Sequence, residues 1–187
     1  MKDTEPVIRT AEPEDLRETV VIYLECIRSD YACKPKAYLD AKNVADELAE
    51  CKEWLYASGS PNRIYVAMDG SVMAGYIAVG ANTSQPLDHE GEVSGFFVRK
   101  PYRKQGIGLR LLKAGVAYLR DLGYRKVAIY NYHISEANQF YRRLGGEVVW
   151  KEVQTPGGMA LDTDVLGYDI AALLSTLDQR LAKYGLL

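Results

Sequence analysis

The first third of the chain carries hydrophobic residues at helical spacing. An apolar seam steps by three and four positions through residues 36–57, as the buried face of a helix requires. Its members are Ala41, Val44, Leu48, Cys51 and Leu55. A helix is also predicted over residues 13–31, because Pro13 suits the first turn of a helix. Residues 7–9 ahead of it predict a short strand.

After residue 63 the hydrophobic pattern changes to that of strands. Residues 64–68 and 72–79 are rich in β-branched and aromatic side chains, and Asp69-Gly70-Ser71 between them is a hairpin signal. A polar loop over residues 81–90 then leads to a further predicted strand at residues 92–98.

The rest of the chain alternates between helices and strands. Predicted helices cover residues 106–122, 135–144 and 171–184, and predicted strands cover residues 126–131, 147–154 and 165–170. Glycines end the first two of these helices, at Gly123 and at Gly145-Gly146. Alternation of this kind implies parallel strands covered by helices, whereas the hairpin adds antiparallel pairing. The sequence therefore predicts an α/β protein with a mixed, partly parallel central sheet flanked by helices.

The composition is that of a soluble globular protein, with 187 residues of which 48% are hydrophobic and 26% charged. This length fits one domain, residues 1–187, with a core large enough to fold without disulfides or a structural metal. No run approaches the roughly 18 consecutive apolar residues of a membrane span. The first six residues also lack the apolar run of a secretion signal. We therefore expect no membrane partner.

The charges and the cysteines exclude further classes of protein. Lys and Arg total 23 against 25 Asp and Glu, which argues against a protein that coats nucleic acid. Cys26, Cys33 and Cys51 are odd in number and form no C-x-x-C pair, so we expect no metal and free thiols in a reducing cytoplasm. The aromatic residues are skewed, with 14 Tyr against 3 Phe and 2 Trp.

A basic turn with two glycines lies between the strand at residues 92–98 and the next helix. It reads Arg99-Lys100-Pro101-Tyr102-Arg103-Lys104-Gln105-Gly106-Ile107-Gly108. Free N–H groups at a helix start bind anions, and glycines let the backbone approach a phosphate closely. The turn is not a Walker loop, because no Gly-Lys-Ser/Thr follows. The alternative is a solvated basic turn.

Two segments together resemble the GNAT superfamily of N-acetyltransferases. Arg103, Gly106 and Gly108 occupy the fixed positions of its acyl-CoA signature, Q/R-x-x-G-x-G/A. Residues 135–145 resemble its second cofactor helix, with Phe140-Tyr141 shortly before Leu144-Gly145. The chain departs from the family at Gly146, where an aromatic residue is usual, so we expect looser packing there. It also lacks the family's helix-capping Asn, so Ser135 is expected to cap.

The resemblance implies a fold and a cofactor. The family core would cover residues 6–155, and residues 156–187 would add a C-terminal strand and helix. The family binds acetyl-CoA as acyl donor, without a metal, beside a strand that splays from its neighbour. Carried onto this sequence, the resemblance assigns cofactor binding to Phe96, Phe97, Val98, Arg103, Lys104, Gln105, Gly106, Ile107, Gly108 and Asn138. The main-chain N–H of Phe96 or Phe97 would polarise the thioester carbonyl.

Two catalytic residues are also implied. Glu92 precedes Gly106 by fourteen residues, the offset of the catalytic glutamate in histone-modifying members, and would remove a proton from the amine. His89, Asp88 or a relayed water are the alternatives. Tyr141 matches the position of a phenol that returns a proton to the departing CoA thiolate.

The expected reaction is direct attack of a primary amine on acetyl-CoA in a ternary complex. Asp88, Glu90 and Glu92, with Asp162 and Asp164 near, would form an acidic cleft for a small cationic acceptor. Tyr130 and Tyr132 are candidates to line its pocket. The alternatives are a protein lysine or N-terminal amine as acceptor, a non-catalytic acyl-CoA-binding module, and an RNA-binding protein that uses residues 99–104. A homodimer is expected only by analogy with the family.

Overall fold

The computed structural model, which describes residues 5–31, 33–86 and 88–186, contains one seven-stranded sheet. Its strands are β1 (Val7–Thr10), β2 (Arg63–Asp69), β3 (Val72–Ala81), β4 (Gly91–Val98), β5 (Lys126–Tyr132), β6 (Glu147–Gln154) and β7 (Leu161–Asp169). The helices are α1 (Leu16–Asp30), α2 (Lys36–Ala41), α3 (Val44–Leu55), α4 (Ile107–Asp121), α5 (Ala137–Arg143) and α6 (Ile170–Lys183).

The sheet runs in the order β1-β2-β3-β4-β5-β7-β6. Strands β1 to β4 are antiparallel neighbours, β4 and β5 are parallel, and β5, β7 and β6 are again antiparallel. The predicted class, a mixed and partly parallel sheet flanked by helices, is confirmed. The C-terminal strand β7 lies between β5 and β6, and α6 follows it at once.

Helices cover both faces of the sheet. On one face α4 and α6 bury a layer of leucines that includes Leu112 and Leu177. On the other face α1 packs with Leu16 and Ile22 against β2 and β3. Hydrophobic burial of this extent is the main stabilising term in such a fold.

Three predicted boundaries are wrong. Residues 36–57 form two helices rather than one, because the Asn43 side chain accepts hydrogen bonds from the N–H groups of Ala45 (3.0 Å) and Asp46 (3.1 Å) and so caps a new helix. The helix predicted from residue 13 begins with a 3₁₀ turn, and α1 starts at Leu16. Strand β7 begins at Leu161 rather than residue 165, because its first residues pair with the end of β6.

Strands β4 and β5 separate soon after they begin. They pair from Gly91 with Val127 to Val93 with Ile129. A β-bulge follows in β4, since Val93 lies opposite Val79 of β3 and Gly95 lies opposite the preceding Ala78. The extra residue, Ser94, bends the strand at this point. Beyond the bulge β4 continues beside β3, and its other edge opens towards α4 and α5.

Gly115 allows α4 to lie close to β3. An added Cβ would lie 2.9 Å from Val79 Cγ1 and 3.0 Å from Ile77 Cδ1, whereas one on Gly108, in the same helix, would meet nothing nearer than the Phe96 ring at 3.4 Å. Alanine favours a helix over glycine by about 1 kcal/mol. We therefore expect Gly108→Ala to be neutral or stabilising in urea unfolding and Gly115→Ala to be destabilising by about 1–3 kcal/mol. Equal stability of the two variants would contradict this packing.

Candidate active site

The open edge of β4 presents two backbone N–H groups. The Arg99 N–H donates to the Ala74 carbonyl of β3 at 2.9 Å, and hydrogen-bonded pairs alternate along an antiparallel ladder. The register then directs the N–H of Phe97 to β3 and those of Phe96 and Val98 to the open side. Of the two predicted carbonyl-polarising groups, the Phe96 N–H is therefore the one that faces the opening.

The glycine-containing turn leads into α4 with two residues in left-handed conformation. Lys104 has φ 60° and Gly106 has φ 80°. A non-glycine residue at positive φ is uncommon, and left-handed residues in a turn are a feature of backbone anion sites. α4 starts at Ile107, so its first N–H groups have no acceptor within the helix. The geometry is that of an anion site made by backbone.

Most basic side chains of the turn pair with α1. Arg99 binds Glu18 at 2.7 Å and Glu25 at 2.8 Å, and Arg103 binds Asp30 at 2.6 Å. Arg103 also donates from Nε to the Val98 carbonyl at 2.7 Å. Because these charges are neutralised within the fold, they fix the turn to α1 and argue against an RNA-binding surface.

A cavity of about 300 Å³ opens beside the bulge of β4, on the α1 side of the sheet. A volume of this order suits a small molecule. It is lined by Tyr23, Ile27, Tyr31, Lys34, Ser84, Glu92, Val93, Ser94, Phe97, Tyr130, Asn131, Tyr132, Glu152 and Gln154. Tyr130 and Tyr132 line it as predicted.

Glu92 faces this cavity from the last stretch where β4 and β5 pair. It lies opposite Gly80 of β3 and Ala128 of β5. Burial raises the pKa of its carboxyl, a hydrogen bond from Ser94 partly offsets that rise, and the charge of Glu152 adds to it. A carboxylate with a raised pKa in a cavity is suited to accept a proton.

The acidic cleft predicted around Glu92 is wrong. Asp88 binds the Lys126 side chain at 2.6 Å, and Glu90 accepts the Lys126 N–H at 3.0 Å, so both lie at the start of β5. Asp164 is buried between His133 and Arg142, while Asp162 is exposed on β7. Glu152 is the carboxylate that joins Glu92 in the cavity.

The alternative bases do not line the cavity either. His89 is buried against Gly167 of β7, and Asp88 accepts a hydrogen bond from its ring at 2.9 Å. Glu92 is therefore the predicted base that the structure brings to the cavity.

Tyr141 lies on the other side of β4. Its side chain is buried in the cluster beneath α4, with its ring centroid 6.5 Å from that of Phe96. Burial raises the pKa of the phenol well above its usual range. The hydroxyl therefore keeps its proton at neutral pH, and the same burial makes it a weaker acid than a free phenol, so its role as proton donor stays a prediction.

Asn138, one turn before Tyr141, is buried and holds α5 to the end of β5. Its amide donates to the carbonyls of Tyr132 (2.9 Å) and His133 (3.1 Å), and its oxygen accepts from Asn131 at 2.9 Å. Contact of Asn138 with a pantetheine arm stays a prediction. The predicted cap at Ser135 lies one residue too early: α5 begins after Glu136, which makes no side-chain capping bond, although the Ser135 hydroxyl accepts the Ala137 N–H at 3.3 Å.

Tyr168 of β7 fills the space left at Gly146. An added Cβ on Gly146 would lie 2.5 Å from the Tyr168 hydroxyl oxygen. That hydroxyl donates to the Tyr141 carbonyl at 2.9 Å. The expectation of looser packing at Gly146 is therefore wrong, because a residue from a distant strand replaces the missing aromatic ring.

The sequence did not predict several residues that line the cavity. Tyr23, Tyr31 and Lys34 come from α1 and the turn after it, and Glu152 comes from β6. The excess of tyrosine over phenylalanine was the signal in the sequence that could have indicated such a cavity, since a tyrosine combines an apolar ring with a hydroxyl that can bond a polar molecule.

Within residues 5–31, 33–86 and 88–186, no cluster of three or more His, Cys, Asp or Glu side chains could hold a metal ion. Cys26, Cys33 and Cys51 are free thiols, and Cys26 is buried. None of the described helices is long and apolar enough to cross a membrane.

Several solved structures share this fold. The yncA protein of Salmonella typhimurium, solved with its cofactor acetyl-CoA, superposes with a TM-score of 0.66 at 19% identity over 89% of this chain and 95% of its own. The spermidine/spermine N-acetyltransferase SpeG of Vibrio cholerae gives 0.64 at 14% identity over 94% and 98%. The PaiA N-acetyltransferase of Thermoplasma acidophilum, solved with coenzyme A, gives 0.65 at 15% identity over 89% and 99%.

Sequence comparison extends this likeness from fold to family. An uncharacterized N-acetyltransferase of Archaeoglobus fulgidus is 30% identical over 125 residues, which is 65% of this chain and 78% of that protein. The model of the acetyltransferase (GNAT) family matches residues 24–145, from α1 through the turn at Arg103–Gly108 to the end of α5. The chain is therefore an N-acetyltransferase that belongs to the GNAT family.

Proposed function

We propose that this protein transfers the acetyl group of acetyl-CoA to the primary amine of a small cationic molecule, by direct attack in a ternary complex. The observation that carries the proposal is Glu92, a carboxylate with a raised pKa that faces a cavity of about 300 Å³ beside the open edge of β4. An amine that enters as an ammonium ion meets Glu92 and Glu152 there.

Acetyl-CoA would occupy the opening between β4 and β5. The N–H groups of Phe96 and Val98 are available to its pantetheine arm, and the turn from Arg103 to Gly108 offers backbone N–H groups to its pyrophosphate. Arg103 supports that turn through its bonds to Val98 and Asp30. The relatives with bound acetyl-CoA or coenzyme A support this assignment by their shared fold.

Three groups would then perform the chemistry. Glu92 takes a proton from the ammonium ion, and the free amine attacks the thioester carbon. The Phe96 N–H stabilises the oxyanion that forms, as the C–N bond is made and the C–S bond breaks. As the intermediate collapses, the attacking nitrogen releases its remaining extra proton to solvent. Tyr141 gives its proton to the CoA thiolate, and solvent restores that proton.

The cavity also bears on the alternative acceptors. It is built from side chains of α1, β4, β5 and β6, and its volume fits a small molecule better than an extended peptide. A non-catalytic acyl-CoA module would not need a carboxylate with a raised pKa in that position. These observations favour a small amine as acceptor. A homodimer and a cytoplasmic location stay predictions.

Acetyl-CoA is expected to raise the melting temperature by about 5–10 °C at roughly 100 times its Kd, because it binds the native state alone. Gly108→Val should abolish this rise. Its side chain would fill the space beside the Phe96 ring, which lies 3.4 Å from where a Cβ would stand. Gly108→Ala is the matched control and should keep most of the rise. An undiminished rise in folded Gly108→Val would remove this turn from the cofactor site.

Glu92→Gln keeps the shape of the side chain and removes its basicity, so turnover should fall by roughly 10²–10⁴-fold. The matched control is Glu152→Gln, which removes the same charge from the same cavity and should keep most activity. Steady-state rates of CoA release with an accepted amine would measure both. A small loss for Glu92→Gln, equal to that of Glu152→Gln, would show that neither carboxylate is the base.

The pH profile separates the two carboxylates further. A base works deprotonated, so kcat/KM should rise with pH through the raised pKa of Glu92. Glu152→Gln removes a charge that raises this pKa, so the acidic limb should move to lower pH. In Glu92→Gln that limb should vanish, and the rate should recover partly at high pH as the free amine becomes abundant.

Tyr141→Phe removes one hydroxyl and should lower kcat by roughly 10²-fold or more, with little change in acetyl-CoA affinity. Tyr168→Phe is the matched control, because it removes a neighbouring buried hydroxyl that bonds only the Tyr141 carbonyl. Tyr168→Phe should lower the melting temperature and leave kcat nearly unchanged. Near-normal kcat in Tyr141→Phe would leave that tyrosine as a packing residue.

A further inference from the structure

Lys34, in the turn between α1 and α2, lines the acceptor cavity and is surrounded by tyrosines. Its Nζ lies 5.2 Å from the ring centroid of Tyr31, 5.5 Å from that of Tyr38 and 5.1 Å from that of Tyr132. Ammonium groups are attracted to the faces of aromatic rings at such distances. The three rings therefore hold the ammonium group at one place in the wall.

This ammonium group has no ion pair with any residue that the structure describes. Lys42, which lies over Tyr23 and Tyr38 in the same aromatic layer, differs in that it pairs with Glu47. Burial lowers the pKa of Lys34, and the nearby charge of Lys42 lowers it further. Lys34 is thus a half-buried cation whose charge the fold leaves unbalanced, and a buried charge is stabilised by a partner.

The carboxylates of the cavity lie elsewhere in it. Glu92 and Glu152 both act on the pKa of Tyr130. The pKa of Lys34 responds instead to Lys42, with smaller effects of Cys33 and Glu47. Along β5, Glu92 lies opposite Ala128, whereas the Lys34 ammonium group lies over the ring of Tyr132, four residues further on. The cavity therefore has an acidic point at Glu92 and a separate basic point at Lys34. A bound molecule that matches both has a cationic group and an anionic group.

We propose that Lys34 binds an anionic group of the acceptor, so that the acceptor is an amino carboxylate: its ammonium group is the cationic part that lies at Glu92, and its carboxylate lies at Lys34. This inference rests on the proposed function, since it assigns the second contact of the same acceptor. A carboxylate that accepts a hydrogen bond from the ammonium group forms a charge-assisted bond, which is stronger than a neutral one. The tyrosine rings hold Nζ in place but do not neutralise its charge. Its N–H groups therefore stay able to donate to a carboxylate of the acceptor.

The test compares acceptors that differ only in this charge. A panel of L-amino acids, each beside its own carboxamide, would be titrated by calorimetry into the protein loaded with CoA, which permits binding without turnover. We expect wild type to bind the amino acids more tightly, and Lys34→Gln to reduce this acid-over-amide preference by roughly 10- to 100-fold. The difference in amine pKa between acid and amide is the same for both proteins, so it cancels when the preference of Lys34→Gln is divided by that of wild type.

Two variants control the result. Lys34→Arg keeps the charge and should restore much of the preference. Lys36→Gln removes the same charge from an exposed lysine of α2 that pairs with Asp40, and it should leave the preference unchanged. Melting temperatures of all variants would show that each is folded, and Lys34→Met provides a second neutral replacement if Lys34→Gln is not.

The outcomes separate this inference from the proposed function. Loss of the preference in Lys34→Gln supports the anion contact, whether or not the amino acids are acetylated when acetyl-CoA replaces CoA. Equal binding of acids and amides by wild type, no binding by the panel, or a preference retained without Lys34 would overturn it. Acetylation of Lys34 itself by acetyl-CoA alone would also overturn it, because the residue would then be an acceptor.

Discussion

The structure depends on the separation of β4 from β5. Two parallel strands that continued side by side would use every backbone group of the β4 edge in pairing, as sheets normally do. The bulge at Ser94 ends that pairing after Val93 and turns the edge towards open space. Arg103 bonds the Val98 carbonyl on that edge, which ties the turn at residues 103–108 to the open end of β4. The β-bulge at Ser94 thus opens the sheet between β4 and β5, next to the turn at residues 103–108.

The opening stays fixed because residues from far along the chain support its walls. Asn138 and Asn131 bond each other and join α5 to β5, and Tyr168 occupies the space at Gly146 while it bonds the Tyr141 carbonyl. Buried polar groups that are fully bonded in this way define one arrangement of the backbone. On the opposite side, the acidic residues of α1 hold Arg99 and Arg103.

Local signals in the sequence predicted most elements and much of the site. Hydrophobic period and glycines identified most strands and helices, and the family model covers the turn Arg103–Gly108, because each of these signals depends on adjacent residues. The break at Asn43 was missed, since an apolar seam continues across it while a single capping side chain interrupts the backbone. The contacts of Lys34 could not be predicted, because Tyr31, Tyr38 and Tyr132 are brought together only by the fold.

The two halves of the site differ in what a change of sequence can do to them. On the proposed cofactor side the available groups are backbone N–H groups, which side-chain substitutions leave in place as long as the turn and the bulge persist. The proposed acceptor cavity is lined by side chains, including Glu152 of β6 and Lys34 of the turn after α1. Substitution of these two changes the charge of the cavity without touching the β-bulge that opens the sheet. In the function we propose, the fold therefore keeps the acyl-donor site while a few side chains of the cavity set the choice of acceptor.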